Sequence, residues 1–189
     1  MPRIAPLSKE GLTEDIKKLM DAGEDIMGFT PNDGLTMARH PALFRAMCDM
    51  VNAIYGSGTL DPQLKRFIGH ITSSAAGCQY CMAHTAHGAH KNGADQKKID
   101  DLWLYESSPL FSERERAALR VAQNAGMSPS TVTDEQFDSL KKHYTEDEII
   151  EIVAVISLFG FLNRWNSTIA TDIESSPLQF VKNNQNQSN

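Results

Sequence analysis

"GCQYCMAHTAHGAH", residues 77–90, gathers two of the chain's three cysteines and three of its six histidines. Cys78, Cys81, His84, His87 and His90 recur every three residues, which makes this a helical segment. At about 100° per residue, Cys78 and Cys81 lie about 60° apart on that helix. Modest adjustment would bring them within disulfide geometry. Gly77 marks a break after "AA", so Cys78 starts a new helix, where unpaired amides and positive potential favour a thiolate. His84 sits about another 60° round from Cys81 and can take or relay its proton.

The same helical period extends to both sides. Residues 12–27 place Leu12, Ile16, Leu19, Met20, Ile26 and Met27 on one stripe, and "FTPNDG" then interrupts it. Pro41 suits a first turn, followed by a stripe through Leu43, Phe44, Met47, Met50, Val51 and Ile54. Pro62 opens a helix to about Ala76. Asp95 caps a shorter one through Trp103. Capping boxes pair Ser112 with Glu115, Thr133 with Gln136, and Thr145 with Glu148, the last beginning a long helix to about Ala170. No alternating strand pattern occurs, so the expected class is all-α. Residues 1–174 read as one domain and 175–189 as a polar, partly disordered tail.

The chain has 189 residues, 41% hydrophobic and 22% charged, with a formal charge of -6. That balance disfavours nucleic acid and anionic membranes. The longest apolar run, "IIEIVAVISLFGFL", contains Glu151 and is too short to span a bilayer unaided. No secretory signal opens the sequence, and three cysteines suit a reducing cytoplasm.

In that compartment a CxxC is more often reactive than a structural staple. A zinc knuckle would need ligands from a separate element, whereas these histidines fan around one helix. Haem attachment needs histidine directly after the second cysteine, and Met82 stands there. The expectation is therefore no metal and no cofactor. In one order of attack Cys81, helped by His84, meets an oxidant such as a peroxide and Cys78 resolves it. In the other, Cys78 attacks first because it is nearest the helix start. Spacing leaves both orders open. His70 reads as a satisfied core histidine, His87 as a surface or interface residue, His90 as solvated, and Cys48 as a small buried hydrophobe. Asn163, Arg164 and Trp165 either line a substrate cavity or pack the long helix.

"SSAAGCQYCMAHTAHGA", together with "MGFTPN", "HPALFRAM" and "FLNRWN", resembles the carboxymuconolactone decarboxylase and AhpD-type alkylhydroperoxidase superfamily, in its peroxidase-related branch. The resemblance implies an AhpD-like helical domain, a homo-oligomer, and a redox-active pair whose second member, Cys81, reacts with peroxide. It implies catalytic residues Cys81, Cys78 and His84, with an external thiol or disulfide-reductase as electron donor. Two positions depart from the AhpD pattern: its relay glutamate falls on Arg66, and its histidine, four residues after the second cysteine, falls on Thr85. The histidine has moved to His84, and the acid that would orient it is missing. Arg66 could instead help keep a thiolate ionised if it points inward. Thiol-dependent peroxide reduction is the leading expectation. Lactone-acid decarboxylation and a non-enzymatic redox sensor are the alternatives.

Overall fold

The computed structural model describes residues 1–187 and places ten α-helices among them. They are α1 (Glu14–Met27), α2 (Asn32–Met37), α3 (Pro41–Tyr55), α4 (Pro62–Ala75), α5 (Gln79–Lys91), α6 (Gln96–Asp100), α7 (Glu113–Gly126), α8 (Asp134–Lys141), α9 (Glu146–Ile169) and α10 (Ser175–Gln187). No strand occurs among the described residues. All three capping boxes form: Ser112, Thr133 and Thr145 accept from amides three residues on, while Glu115, Gln136 and Glu148 reach back. Each box satisfies two amides that a helix start otherwise leaves unpaired. Asp61 caps α4 ahead of Pro62, and Asp95 caps α6.

Two apolar clusters hold these helices together. The larger joins α4, α5, α7 and α9 through Ile68, Ile71, Ala89, Leu119, Ala122, Ile152 and Val155, all fully or almost fully buried. The smaller joins α1, α2 and α3 through Ile16, Met20, Phe44 and Met47, and takes Leu158 from α9. Helix α9 therefore serves both clusters, which explains why its sequence is apolar on more than one face. Glu151 interrupts that run to accept the Thr59 and Leu60 amides and to pair with Lys65 at 2.8 Å. No helix among the described residues is long and apolar enough to cross a membrane.

Gly77 adopts φ 71°, a left-handed turn that reverses the chain between α4 and α5 and that a Cβ would strain. The Cys78 amide bonds back to Ser73 O at 3.0 Å, so the cysteine helix starts from a fixed corner.

Three stretches differ from expectation. The interruption at "FTPNDG" contains the start of α2, entered through Pro31. The helix capped by Asp95 stops at Asp100, and a 3₁₀ turn over Leu102–Leu104 sinks Leu102 into the core while Trp103 and Leu104 stay exposed. Tighter winding allows that change of face. Residues 175–187 of the polar tail form α10, because Phe180 packs on the larger cluster and Pro177 is buried. Residues 188 and 189 lie outside the described residues.

Candidate functional site

The cysteine pair sits where α5 begins. Cys78 occupies the N-cap and Cys81 the first turn, with 3% and 2% exposure, and both are free thiols. The two sulfurs are in hydrogen-bonding contact. The Cys81 thiol, which outweighs burial, brings the Cys78 pKa down to about 7, with the Cys81 amide and the Ser167 hydroxyl adding to the effect. Cys81 shifts the opposite way, because its proton is held by Cys78 and its surroundings are dry. The pair thus loses one proton near neutrality and resists losing the second, as two coupled acids do.

Cys81 opens onto a cavity of about 400 Å³ between the two apolar clusters; Cys78 is not part of its lining. Met20, Phe44, Met47, Leu158 and Phe159 form most of the wall near it. A cavity of this size and polarity suits a small organic molecule. Its polar end contains Asp33, Tyr80 and His84 beside Cys81. The Asn166 side-chain amide donates to Cys81 Sγ at 3.6 Å and to Asp33 Oδ2 at 3.2 Å. Burial pushes the Asp33 carboxyl up, against the pull of His84 and Asn166.

The acid that orients His84 comes from the far end of the chain. Glu174, between α9 and α10, accepts from His84 Nε2 at 2.5 Å, from Tyr80 Oη at 2.8 Å and from the Asn32 amide at 2.6 Å. Burial alone would raise its pKa, but these donors and the His84 charge bring it below the usual carboxylate value. Tyr80 also packs its ring 4.1 Å from that of His84, so the imidazole is fixed on two sides.

The structure brings Cys78, Cys81 and His84 to one place and corrects other expectations. An acid does stand beside His84, namely Glu174. His87 lines the cavity rather than the outer surface, half-buried between Phe29 and Phe180, because α10 covers that side of α5. Cys48 is half-buried and also faces the cavity. His90 is exposed, with Phe180 at 5.0 Å. His70 is the satisfied core residue expected: its Nδ1 lies 3.0 Å from Thr85 Oγ1, and burial lowers its pKa to about 4. Thr85 itself donates to Cys81 O at 2.8 Å and so helps hold the cysteine turn. Arg66 lines the cavity over Tyr55, and the groups beside the two sulfurs are Ser167, Asn166 and Asp33 instead.

Of "NRWN", the first three residues lie off the cavity. Asn163 is buried, while Arg164 and Trp165 line a shallow groove on the outer side of α9. The fourth, Asn166, is the one that reaches Cys81, and residue spacing gave no means of choosing it. Asp33 and Glu174 carried no signal either, since each is a common acid in a polar turn.

Comparison with known proteins follows this geometry. The carboxymuconolactone decarboxylase family pattern matches residues 41–124, which include α4, α5 and both cysteines. The debrominase Bmp8, solved as a cysteine-to-alanine variant with 2,3,4-tribromopyrrole, superposes with a TM-score of 0.91 at 33% identity over 96% of both chains. An uncharacterized peroxidase-related protein with an AhpD core, from Ralstonia eutropha JMP134, superposes at 0.80 with 28% identity, covering 93% of this chain and 94% of its own. The uncharacterized protein YnjA of Escherichia coli strain K12 is 29% identical over 63% of this chain, and the match spans only 64% of the length of YnjA.

Proposed function

We propose that this chain, which belongs to the carboxymuconolactone decarboxylase and AhpD-like superfamily, is a dithiol-dependent reductase that acts on organic hydroperoxides. The observation that carries the proposal is the position of Cys81. It is the sulfur that meets the cavity, with Cys78 in contact behind it and the His84–Glu174 pair beside it.

The chemistry follows from that arrangement. The pair holds one negative charge near neutral pH, centred on Cys78, and a proton passing across the sulfur–sulfur hydrogen bond moves the charge to Cys81. The Asn166 amide is in place to stabilise the Cys81 thiolate. That thiolate attacks the terminal oxygen of ROOH; an S–O bond forms, the O–O bond breaks, and RO⁻ leaves. His84, held by Glu174, is the group placed to give RO⁻ the proton that yields ROH. The Cys78 thiol, carrying the proton it took from Cys81, then attacks the Cys81 sulfenic acid; the S–O bond breaks, hydroxide leaves with the Cys78 proton as water, and a Cys78–Cys81 disulfide results. The hydroperoxide gains two electrons and the dithiol loses two, which an external dithiol restores.

A second reading is favoured by the likeness to Bmp8 across the whole chain. The same thiolate can attack the bromine of a brominated heteroarene, whose ring carbon takes a proton while Cys78 displaces bromide. Both readings share the pair and differ in the atom attacked.

The test is thiol titration and peptide mapping of the reduced protein after one equivalent of cumene hydroperoxide or of 2,3,4-tribromopyrrole. Loss of two thiols with a Cys78–Cys81 disulfide and release of cumyl alcohol supports the first reading. The same disulfide with bromide release, seen only with the pyrrole, supports the second. A reaction that survives both Cys78→Ser and Cys81→Ser sinks both, and points to chemistry of the lactone-decarboxylase type, which needs no thiol pair.

A further inference from the structure

Resting on the reading of Cys81 as the reacting sulfur, we propose that the cavity selects substrates bearing a carboxylate, which Arg66 and Tyr55 hold two helical turns away from Cys81.

Arg66 lies half-buried on the cavity wall, with its guanidinium carbon 4.2 Å from the centre of the Tyr55 ring. It forms no ion pair among the described residues. Most of the other lysines and arginines that are not exposed behave differently: Lys9, Lys65, Lys98, Arg116 and Arg120 each face a carboxylate of the chain itself. Beside Arg66, the Tyr55 hydroxyl is shielded from water and lines the same cavity; Arg66 can only donate to it, so the hydroxyl's own proton has no acceptor. Native proteins rarely leave buried donors unmet, and a bound acceptor is one way of meeting them. A planar guanidinium with an adjacent hydroxyl matches the two oxygens of a carboxylate. Lys91 lines the cavity too, with its ammonium bonded to Ile26 O at 2.8 Å; the carbonyl leaves that charge in place, and it adds to the positive potential an anion meets.

Helix α5 gives the distance. The guanidinium lies over Gly88, with its Nε and Cζ 3.6 Å from where a Cβ would stand, so a side chain there would touch it. Gly88 follows Cys81 by seven residues, which brings it back to the same face of α5 about 10 Å along the axis. Along α5 the two ends are separated by His84, Thr85 and His87, while other elements add the apolar Met20, Phe44 and Leu158 to the lining. The substrate class is thus an apolar body, such as one ring with a short branch, carrying a carboxylate at one end and its electrophilic group at the other.

Calorimetric binding of 4-isopropylbenzoate and of its neutral amide to the reduced Cys81→Ser protein tests this. The benzoate should bind more tightly than the amide, Arg66→Met should weaken the benzoate alone by about tenfold or more, and Tyr55→Phe should weaken it by a smaller factor. Turnover should follow suit, with the para-carboxylate of cumene hydroperoxide preferred over cumene hydroperoxide by a factor that Arg66→Met removes. Equal binding of benzoate and amide, or benzoate binding unchanged in both variants with melting intact, overturns the proposal. Arg66-dependent benzoate binding without oxidation by either hydroperoxide leaves the anion site standing and rejects the peroxidase reading instead.

Discussion

His84 and Glu174 are ninety positions apart in the sequence and 2.5 Å apart in the structure. The contact makes the segment leading into α10 part of the site, since the carboxylate that fixes the imidazole immediately precedes the helix that packs against α5. Glu174→Gln keeps the shape and removes the charge. We expect peroxide turnover to fall by about tenfold or more, with substrate binding little changed, because His84 loses the carboxylate that orients it for proton transfer. Steady-state kinetics, separating kcat from KM, checks this.

The same residue ties stability to pH. Its folded pKa lies below its unfolded value, so its stabilising effect is present above the ordinary glutamate pKa of about 4.3 and fades as pH falls through the lower folded value. Wild type should exceed Glu174→Gln by about 1–3 kcal/mol at neutral pH, the range for hydrogen bonds to a buried charge. The gap should close in acid. Thermal melting of the two proteins between pH 3 and 7 measures it (pH values chosen about the reference pKa); a gap that persists at the acid end would show that the carboxylate is not its source.

Cys78 owes its low pKa of about 7 first to the Cys81 thiol. The ultraviolet absorbance of its thiolate should therefore rise through neutrality in the wild type. In Cys81→Ala the donor is gone, and the rise should move towards the ordinary thiol value of about 8.5. Ser167→Ala removes a weaker donor and should move it less. Thiolate absorbance recorded across pH, read against the matching Cys78→Ser background, gives the apparent pKa in each case. An unmoved curve in Cys81→Ala would mean that the helix start, and not the second thiol, sets the acidity.

The roles within the pair separate under a single dose of oxidant. Cys78→Ser retains the sulfur that faces the cavity, so one equivalent of cumene hydroperoxide should convert Cys81 to a sulfenic acid that a dimedone probe traps, with no second turnover. Cys81→Ser should show neither, because Cys78 lies outside the cavity lining. Trapping at Cys78 instead of Cys81 would reverse the order of attack.

What the sequence made legible is what is local. Helix starts were readable because Ser112, Thr133 and Thr145 stand three residues before the side chains that complete their caps. The cysteine turn was readable because Cys78, Cys81 and His84 lie within two turns of one helix. Glu174, Asp33 and Asn166 were not, since each reaches the site only through tertiary packing, and nothing in their neighbours marks a carboxylate or amide that will be buried. The position of His87 failed for the same reason: rotation about α5 places it away from Cys78, but α10 covers that side and folds it into the cavity wall. The polar tail was misjudged because its few apolar side chains, Phe180 above all, find a partner surface that composition does not reveal.

Two glycines separate packing from propensity. A Cβ at Gly126 would stand 2.6 Å from Thr72 O and 3.0 Å from Thr72 Cα, and neither can move without shifting α4. Gly126→Ala should therefore push α7 off α4 and destabilise the fold by about 1–3 kcal/mol. At Gly160, inside α9, a Cβ meets nothing within 4 Å, so alanine adds helix preference without a clash. Gly160→Ala should stabilise by about 0.5–1 kcal/mol, chiefly by restricting the unfolded chain. In a chain of this length each kcal/mol moves the melting temperature by about 2–4 °C, so the two variants should shift in opposite directions by amounts that calorimetry resolves. If Gly126→Ala melts with the wild type, α4 and α7 are not in the contact described, and the corner that sets the cysteine helix would have to be built another way.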